Sequence, residues 1–250
     1  METKLIQAYN LPDGYHESLI ELNKCKEKEM TVIINIYNPL AEPMISKCFM
    51  GTPYSLEQYR QEMLYGILDF EVEQGLWHYT YHQRFAPYLK FIIDELRRDP
   101  KSRRAVIAVR DNEADAYNEN PACLQSIQYQ LRDNKLDCQV LFRSNDAVKA
   151  AFMNMFALIM LQKKIADELY VRVGEYTHIA NNYHCHEKDI PTLENYCKRI
   201  KKDYQQDTDD SSYNYKGCWD MLMEAEKPAI AEMVAEQKRK ARINNDKEKK

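Results

Sequence analysis

Apolar and β-branched residues crowd the stretch from Glu29 to Tyr37, EMTVIINIY, which predicts a strand, and the proline-bounded NPLAEP after it is a loop. From Ser55 to Phe70 the apolar period becomes helical. Leu56, Tyr59, Met63, Leu64 and Ile67 share one face, with Ser55 as the expected cap and Gln58 completing a capping box. Ala86 to Pro100 repeats the amphipathic pattern and stops at its proline. Arg103 to Asp111, RRAVIAVRD, has the pattern of a strand, followed by an acidic loop from Asn112 to Asn120.

Two strand-like runs, CLQSIQYQLR and KLDCQVLF, flank Asp133-Asn134, the expected two-residue turn of a hairpin. Counting back from that turn sets Cys123 opposite Ser144 and Leu124 opposite Arg143. Lys149 to Leu169 is apolar nearly all round its helical wheel, the mark of a buried helix. YVRVGEYTHIANNYH predicts another strand pair. Beyond residue 200, KKDYQQDTDDSSYNY is expected as an acidic loop, then a helix begins just after Gly217, and a charged, solvated tail starts at about residue 238.

Helices and strands mix without regular βα alternation, and neither GxGxxG nor GxxxxGK occurs. The expected fold is therefore α+β (layered α/β), a mixed twisted sheet packed with helices, in a single domain over residues 1–250. With 44% hydrophobic and 30% charged residues, the chain can bury an ample core. A net charge of −4 argues against a nucleic-acid partner and leaves room for a local basic pocket that holds a small anion. The most apolar run, AAFMNMFALIMLQ, is too short to cross a bilayer, and METKLIQAYNLPDGYHES has no leader-like segment, so a cytoplasmic setting is expected. Seven cysteines without a CxxC pair point to reduced thiols.

Candidate chemistry gathers in the middle half of the chain, from Glu62 to His186. Cys123 is either a core thiol or a nucleophile, and a nearby guanidinium favours the second because it stabilises a thiolate. Arg103, Arg104, Arg143 and Ser144 supply the guanidinium forks and hydroxyl that suit a phosphate monoester. Asn154, set in AAFMNMFALIML, needs a hydrogen-bond partner if buried; it either bonds nearby backbone or reads a pyrimidine edge. Glu62, at the border of its apolar helix face, is a candidate general base or a surface residue. His184 and His186 alternate around Cys185 and share a face on a strand, which suits a metal or a sugar hydroxyl. No further zinc ligand stands at suitable spacing, so no metal is expected.

Collectively these segments resemble the thymidylate synthase superfamily, which includes the pyrimidine nucleotide hydroxymethylases. DPKSRRAVIAV is similar to its DPxSRR segment, PACLQSIQYQ to its Pro-Cys-His nucleophile motif, RSNDAVKAAFMN to R-S-x-D followed by F-N, and NNYHCHEKD to D-x-H-x-Y. The resemblance implies a thymidylate synthase-like fold and a homodimer in which Arg103 and Arg104 reach the partner's nucleotide phosphate. It implies that Cys123 is the nucleophile, Glu62 the proton-managing carboxyl, and Arg143 and Ser144 phosphate ligands. Asn154 then reads the base, His184 and His186 bind the sugar, and Asp146 contacts the folate. Leu124 stands where the motif carries histidine, Arg110 where thymidylate synthases carry tryptophan, Asn182 for an aspartate and His186 for a tyrosine.

The activity implied is C5 methylation of dUMP to dTMP, with 5,10-methylenetetrahydrofolate as cosubstrate. The alternatives are a C5 hydroxymethylase acting on dUMP, dCMP or CMP, and a nucleotide-binding homologue without catalysis. A metal-binding protein built on His184, Cys185 and His186 is the reading unrelated to this family.

Overall fold

The computed structural model describes residues 2–206, 208 and 211–248. Patterning assigned nothing to the first segment, which forms β1 (Thr3–Ala8) and α1 (Leu11–Lys24). The signals for α1 are in the sequence: Asn10 accepts from the Asp13 amide at 2.9 Å, Pro12 fits the first turn, and Asp13 meets the positive end of the helix. β2 (Glu29–Ile36) matches its expected strand and runs parallel to β1. β3 (Ile45–Ser46) forms a small separate ladder with β9 (Ser212–Tyr213).

α2 (Pro53–Tyr65) starts before Ser55 because Thr52 is the cap, and Ser55 becomes the third-position partner of the capping box in place of Gln58. It ends at Gly66, whose φ of +62° only glycine adopts cheaply, so the helix stops short of the expected Phe70. After the single turn α3 (Phe70–Glu73) comes α4 (Tyr81–Arg98), capped by Thr80 and begun five residues earlier than expected. β4 (Val106–Ala108) is shorter than its pattern, and the loop after it contains one turn, α5 (Asn112–Asp115).

The hairpin of β5 (Leu124–Arg132) and β6 (Lys135–Phe142) turns on Asp133 and Asn134 at φ 49° and 58°, the two left-handed residues of a type I′ turn. Its register follows expectation from Arg132↔Lys135 to Ser126↔Leu141. A bulge at Gln125 then sets Leu124 opposite Phe142. Cys123 therefore faces Arg143, not Ser144, and its carbonyl accepts from the Arg143 amide at 2.9 Å.

β7 (Asn145–Asp146) leads into α6 (Ala151–Leu169), and β8 (Arg172–His184) is one continuous strand where a pair was expected. β8 holds the centre of a mixed sheet of order β1-β2-β8-β6-β5-β4, with β7 also on β8; β2 is antiparallel to it and β6 parallel. α7 (Ile190–Gln206) extends helix into the expected acidic loop, of which Asp207, Asp209 and Asp210 lie outside the described residues. α8 (Asp220–Glu248) carries helix through the expected solvated tail, whose last residues, Lys249 and Lys250, also lie outside.

α6 is apolar nearly all round as far as Leu161 because it rests on β6 and β8 and is covered by α1, α2 and α4, while Lys163, Asp167 and Glu168 are exposed at its end. Each large side chain it buries completely contributes roughly 1.5–3 kcal/mol. Its one fully buried amide, Gln162, donates to Leu136 O at 2.7 Å and Glu175 O at 3.0 Å, serving carbonyls beside the irregularity between β6 and β8. The helices occupy one face of the sheet. The other face presents two cross-strand rows, Val106–Gln128–Gln139–Thr177–Asn35–Gln7 and Ala108–Ser126–Leu141–Ile179–Ile33–Leu5, none of them fully buried.

Candidate active site

Cys123 is half-buried immediately before β5. Arg143 lies across the preceding backbone, with Nε donating to Ala122 O at 3.1 Å and Nη2 to Pro121 O at 2.8 Å. The same Nη2 stands 3.6 Å from the Cys123 sulfur. Gln125, the bulged residue, donates back to Ala122 O at 2.7 Å, so the bulge both shifts the register and braces the cysteine segment. Tyr81 completes this shell, its hydroxyl accepting from the Leu124 amide at 3.3 Å.

A cleft of about 680 Å³ opens beside these residues. Gln58, Tyr59 and Glu62 of α2 form one wall. The segment between α3 and α4 supplies Trp77 and Tyr79, Tyr81 opens α4, and Glu71, Asn120 and Gln237 of α8 also line the cleft. That segment is closed by Asp69, whose carboxylate pairs with His82 Nδ1 at 2.7 Å and whose carbonyl accepts from Gln83 at 3.0 Å. A Cβ on Gly66 would sit 2.3 Å from both Asp69 Oδ2 and His82 Nδ1, so glycine is also needed for this close approach. Cys123 is not a wall of the cleft but joins it through Tyr81 and Asn120.

Glu62 has its pKa raised to about 7, by burial first and then by the neighbouring Glu71 and Asp69 carboxylates. A carboxyl so tuned can take or give a proton near neutrality. Asn154, nearly fully buried on α6, accepts from the Tyr59 hydroxyl, and Tyr59 senses Glu62 and Cys123 electrostatically. Burial, then Cys123, pushes the Tyr79 phenol up to about 12. The sequence singles out Cys123, Glu62, Asn154 and Arg143 as candidates, gives Tyr59 only as a core residue and does not mark Tyr79, Tyr81, Glu71 or Gln237. The aromatic run LWHYTY in a loop was the available signal for two of them.

A second cluster forms where β7 meets the end of β8. Ser144 Oγ lies 3.5 Å from His184 Nδ1, the His184 and His186 rings meet edge to face at 4.9 Å, and His186 Nε2 is 3.6 Å from Asp146 Oδ2. Asp146 Oδ1 accepts from the Val148 and Lys149 amides, both at 3.0 Å. Asp146 is thus a third donor near the two histidines, with ligand atoms all within 4.8 Å of one another, a grouping that sequence spacing did not reveal.

Arg103 and Arg104 are not brought to Cys123 within one chain. Arg104 stands level with Gln130 on β5, about 20 Å away along a strand rising roughly 3.3 Å per residue. It bonds Glu95 at 2.9 Å, while Arg103 is exposed and makes no hydrogen bond among the described residues. Bonds from Ser102 and Arg98 hold the Glu95 carboxyl down at about 2.

A carboxyl poised near neutrality in the cleft wall, with a thiol and a buried amide adjoining it through Tyr81 and Tyr59, suits nucleophilic addition to a flat heterocycle. Residues 49–210 match the thymidylate synthase family model. A Methanocaldococcus jannaschii protein named "Putative thymidylate synthase" is 32% identical over 173 residues, covering 66% of this chain and 78% of that one. A Methanosarcina mazei protein of the same name is 25% identical over 216 residues, 79% of this chain and 96% of its own. The thymidylate synthase of Staphylococcus haemolyticus is 28% identical over 112 residues, 44% of this chain and 35% of that one. The chain belongs to the thymidylate synthase family, enzymes of one-carbon transfer to pyrimidine nucleotides. None of its described helices is long and apolar enough to cross a membrane.

Proposed function

We propose that the protein methylates C5 of dUMP to give dTMP. The observation that carries this reading is Glu62 in the cleft wall, with Asn154 bonded to the cleft residue Tyr59 and Cys123 next to Leu124, whose amide bonds the cleft residue Tyr81. Cys123 adds to C6 of the pyrimidine, which makes C5 nucleophilic. Asn154 holds the base edge, and Glu62 manages the protons. Arg143 and Ser144 receive the phosphate, and His184 and His186 the sugar. Asp146 contacts the reduced folate, which supplies the one-carbon unit and the reducing equivalent when bound. The fit of that cosubstrate is supported by the aromatic faces of Trp77 and Tyr79 and by Gln237, whose Oε1 is buried without a partner among the described residues.

The active form is a homodimer in this reading, because Arg103 and Arg104 stand too far from Cys123 to share its phosphate. The open sheet face, with Leu5, Ile33, Ile179 and Leu141 in register, supports a symmetric contact. A cytoplasmic setting belongs to the same proposal and is supported by free thiols at every cysteine.

A hydroxymethyl product is the second reading. Arg110 turns to Asn112, with Nε 3.3 Å from Oδ1, and is not among the cleft walls. The tryptophan that the family resemblance assigns to that position is therefore not replaced by another ring. Incubation with methylenetetrahydrofolate and, separately, dUMP, dCMP, UMP and CMP tests both readings by product mass. A methyl gain on dUMP with dihydrofolate formed supports the first, a hydroxymethyl gain supports the second, and no gain on any nucleotide refutes both.

A further inference from the structure

The alternation of an extended chain sets His184 and His186 on one side and Cys185 on the other. Cys185 is nearly fully buried, its thiol 3.5 Å from His186 O, while the two imidazoles meet each other edge to face. Backbone pairing alone adds a third member: β7 runs parallel to β8 with Asp146 level with His184, and the Ala147 amide donates to His184 O at 2.8 Å. The carboxylate is aimed as well as placed. Its Oδ1 is taken by the Val148 and Lys149 amides, so Oδ2 is the oxygen turned to the histidines, 3.6 Å from His186 Nε2. Lys149, whose ammonium also feels the Asp146 charge, is engaged by Asp189 at 2.5 Å instead.

We infer that Asp146, His184 and His186 bind one divalent transition-metal ion of the zinc type, and that this ion shuts the nucleotide sugar out of its place. The exclusion rests on the proposed nucleotide site, in which both histidines hold the sugar; the ion site stands on the residues alone. Two imidazoles and a carboxylate are the donor set of open-sided zinc, cobalt and iron(II) centres, whereas magnesium and calcium select oxygen. One ligand atom from each residue lies within 4.8 Å of the others. Around an ion with bonds of about 2.1 Å such atoms stand roughly 3–4 Å apart, so closure takes about 1 Å of movement. His186 can supply it, since its side chain is 57% exposed just past the end of β8. The tyrosine that the family resemblance assigns to position 186 would hold a sugar hydroxyl but leave the triad one imidazole short.

Cobalt(II) titrated into the metal-free full chain reads both stoichiometry and ligand type. The expected result is a single equivalent with visible d–d bands, no thiolate charge-transfer band in the near ultraviolet, and displacement by zinc. His186→Ala and Asp146→Asn should each weaken cobalt binding about tenfold or more, with thermal melts as a folding control. If either fails to melt cooperatively, His186→Tyr gives the same readout. Cys218→Ser removes the exposed thiol and should change nothing. No binding, thiolate bands, or an affinity unmoved by the triad variants overturns the ion site. At ten times its own Kd from calorimetry, dUMP should raise the apparent cobalt Kd about tenfold. If dUMP binds yet leaves cobalt affinity unchanged, the exclusion is overturned. If cobalt binds through the triad and dUMP does not bind at all, the nucleotide reading fails and the ion site stands.

Discussion

The Arg143 guanidinium folds back onto the segment before β5 that carries Cys123, with Nη2 3.6 Å from the sulfur and hydrogen bonds to Pro121 O and Ala122 O. One side chain therefore fixes the cysteine backbone and sets a positive charge beside the thiol. Arg143→Ala should remove both effects, leaving the Pro121 carbonyl short of a donor, while Ala122 O keeps Gln125, at a cost of about 1–3 kcal/mol. Urea unfolding measures that cost, and covalent labelling by dUMP in intact-mass spectra should vanish. Cys123→Ser should lose the adduct too, yet keep dUMP binding and stability, and an undiminished turnover would remove Cys123 from its role.

Glu62 supplies a pH signature. Its folded pKa, about 7, lies above the ordinary 4.5, so between those values the folded protein binds the proton more tightly than the unfolded chain. Stability contributed by protonated Glu62 is complete below 4.5 and declines as pH rises through about 7. Glu62→Gln should escape this decline and exceed the wild type by about 1–3 kcal/mol at pH 8, a gain absent at pH 4.5. Denaturant titrations at the two pH values test the sign, and the variant's turnover should fall steeply at both.

Gly66 combines a positive φ with a close approach to Asp69 and His82. Gly66→Ala should destabilise by about 1–3 kcal/mol through strain and displacement of that pair. Because the pair closes the cleft segment, nucleotide or folate affinity should weaken as well. A variant of unchanged melting temperature would contradict the packing argument.

Arginines shared between chains make a mixing experiment decisive. Cys123→Ser and the double variant Arg103→Ala, Arg104→Ala should each be inactive alone. Reassorted together, half the dimers are mixed and each carries one complete site, so about a quarter of wild-type activity should return if the partner supplies the arginines. No recovery, with mixed dimers demonstrated by sedimentation or native mass, would assign the arginines to their own chain or to neither.

Local physics made much of this legible without coordinates. The Asp133-Asn134 turn follows from two residues that tolerate left-handed backbone, and the buried character of α6 follows from a wheel that is apolar nearly all round over its first three turns. The segments carrying Cys123, Arg143, Asp146 and Asn154 could be picked out because their chemistry is crowded into a short stretch. The Gln125 bulge could not, since one inserted residue leaves the strand pattern intact while changing the partner of Cys123. Nor could the continuity of β8, where a pattern of apolar residues does not say whether a strand turns or runs on between two neighbours.

Only tertiary structure joined Tyr59 to Asn154, Glu71 to Glu62 and Asp146 to His186, each pair set by packing between elements with no spacing rule to relate them. The raised pKa of Glu62 belongs to the same class, because burial and neighbouring charge are properties of the assembled cleft. Sequence alone determined which side chains were available and which segments wanted to be helix or strand. The folded chain decided which of them meet, since hydrogen bonds and Coulomb forces act over a few ångströms of space, whatever the distance along the chain.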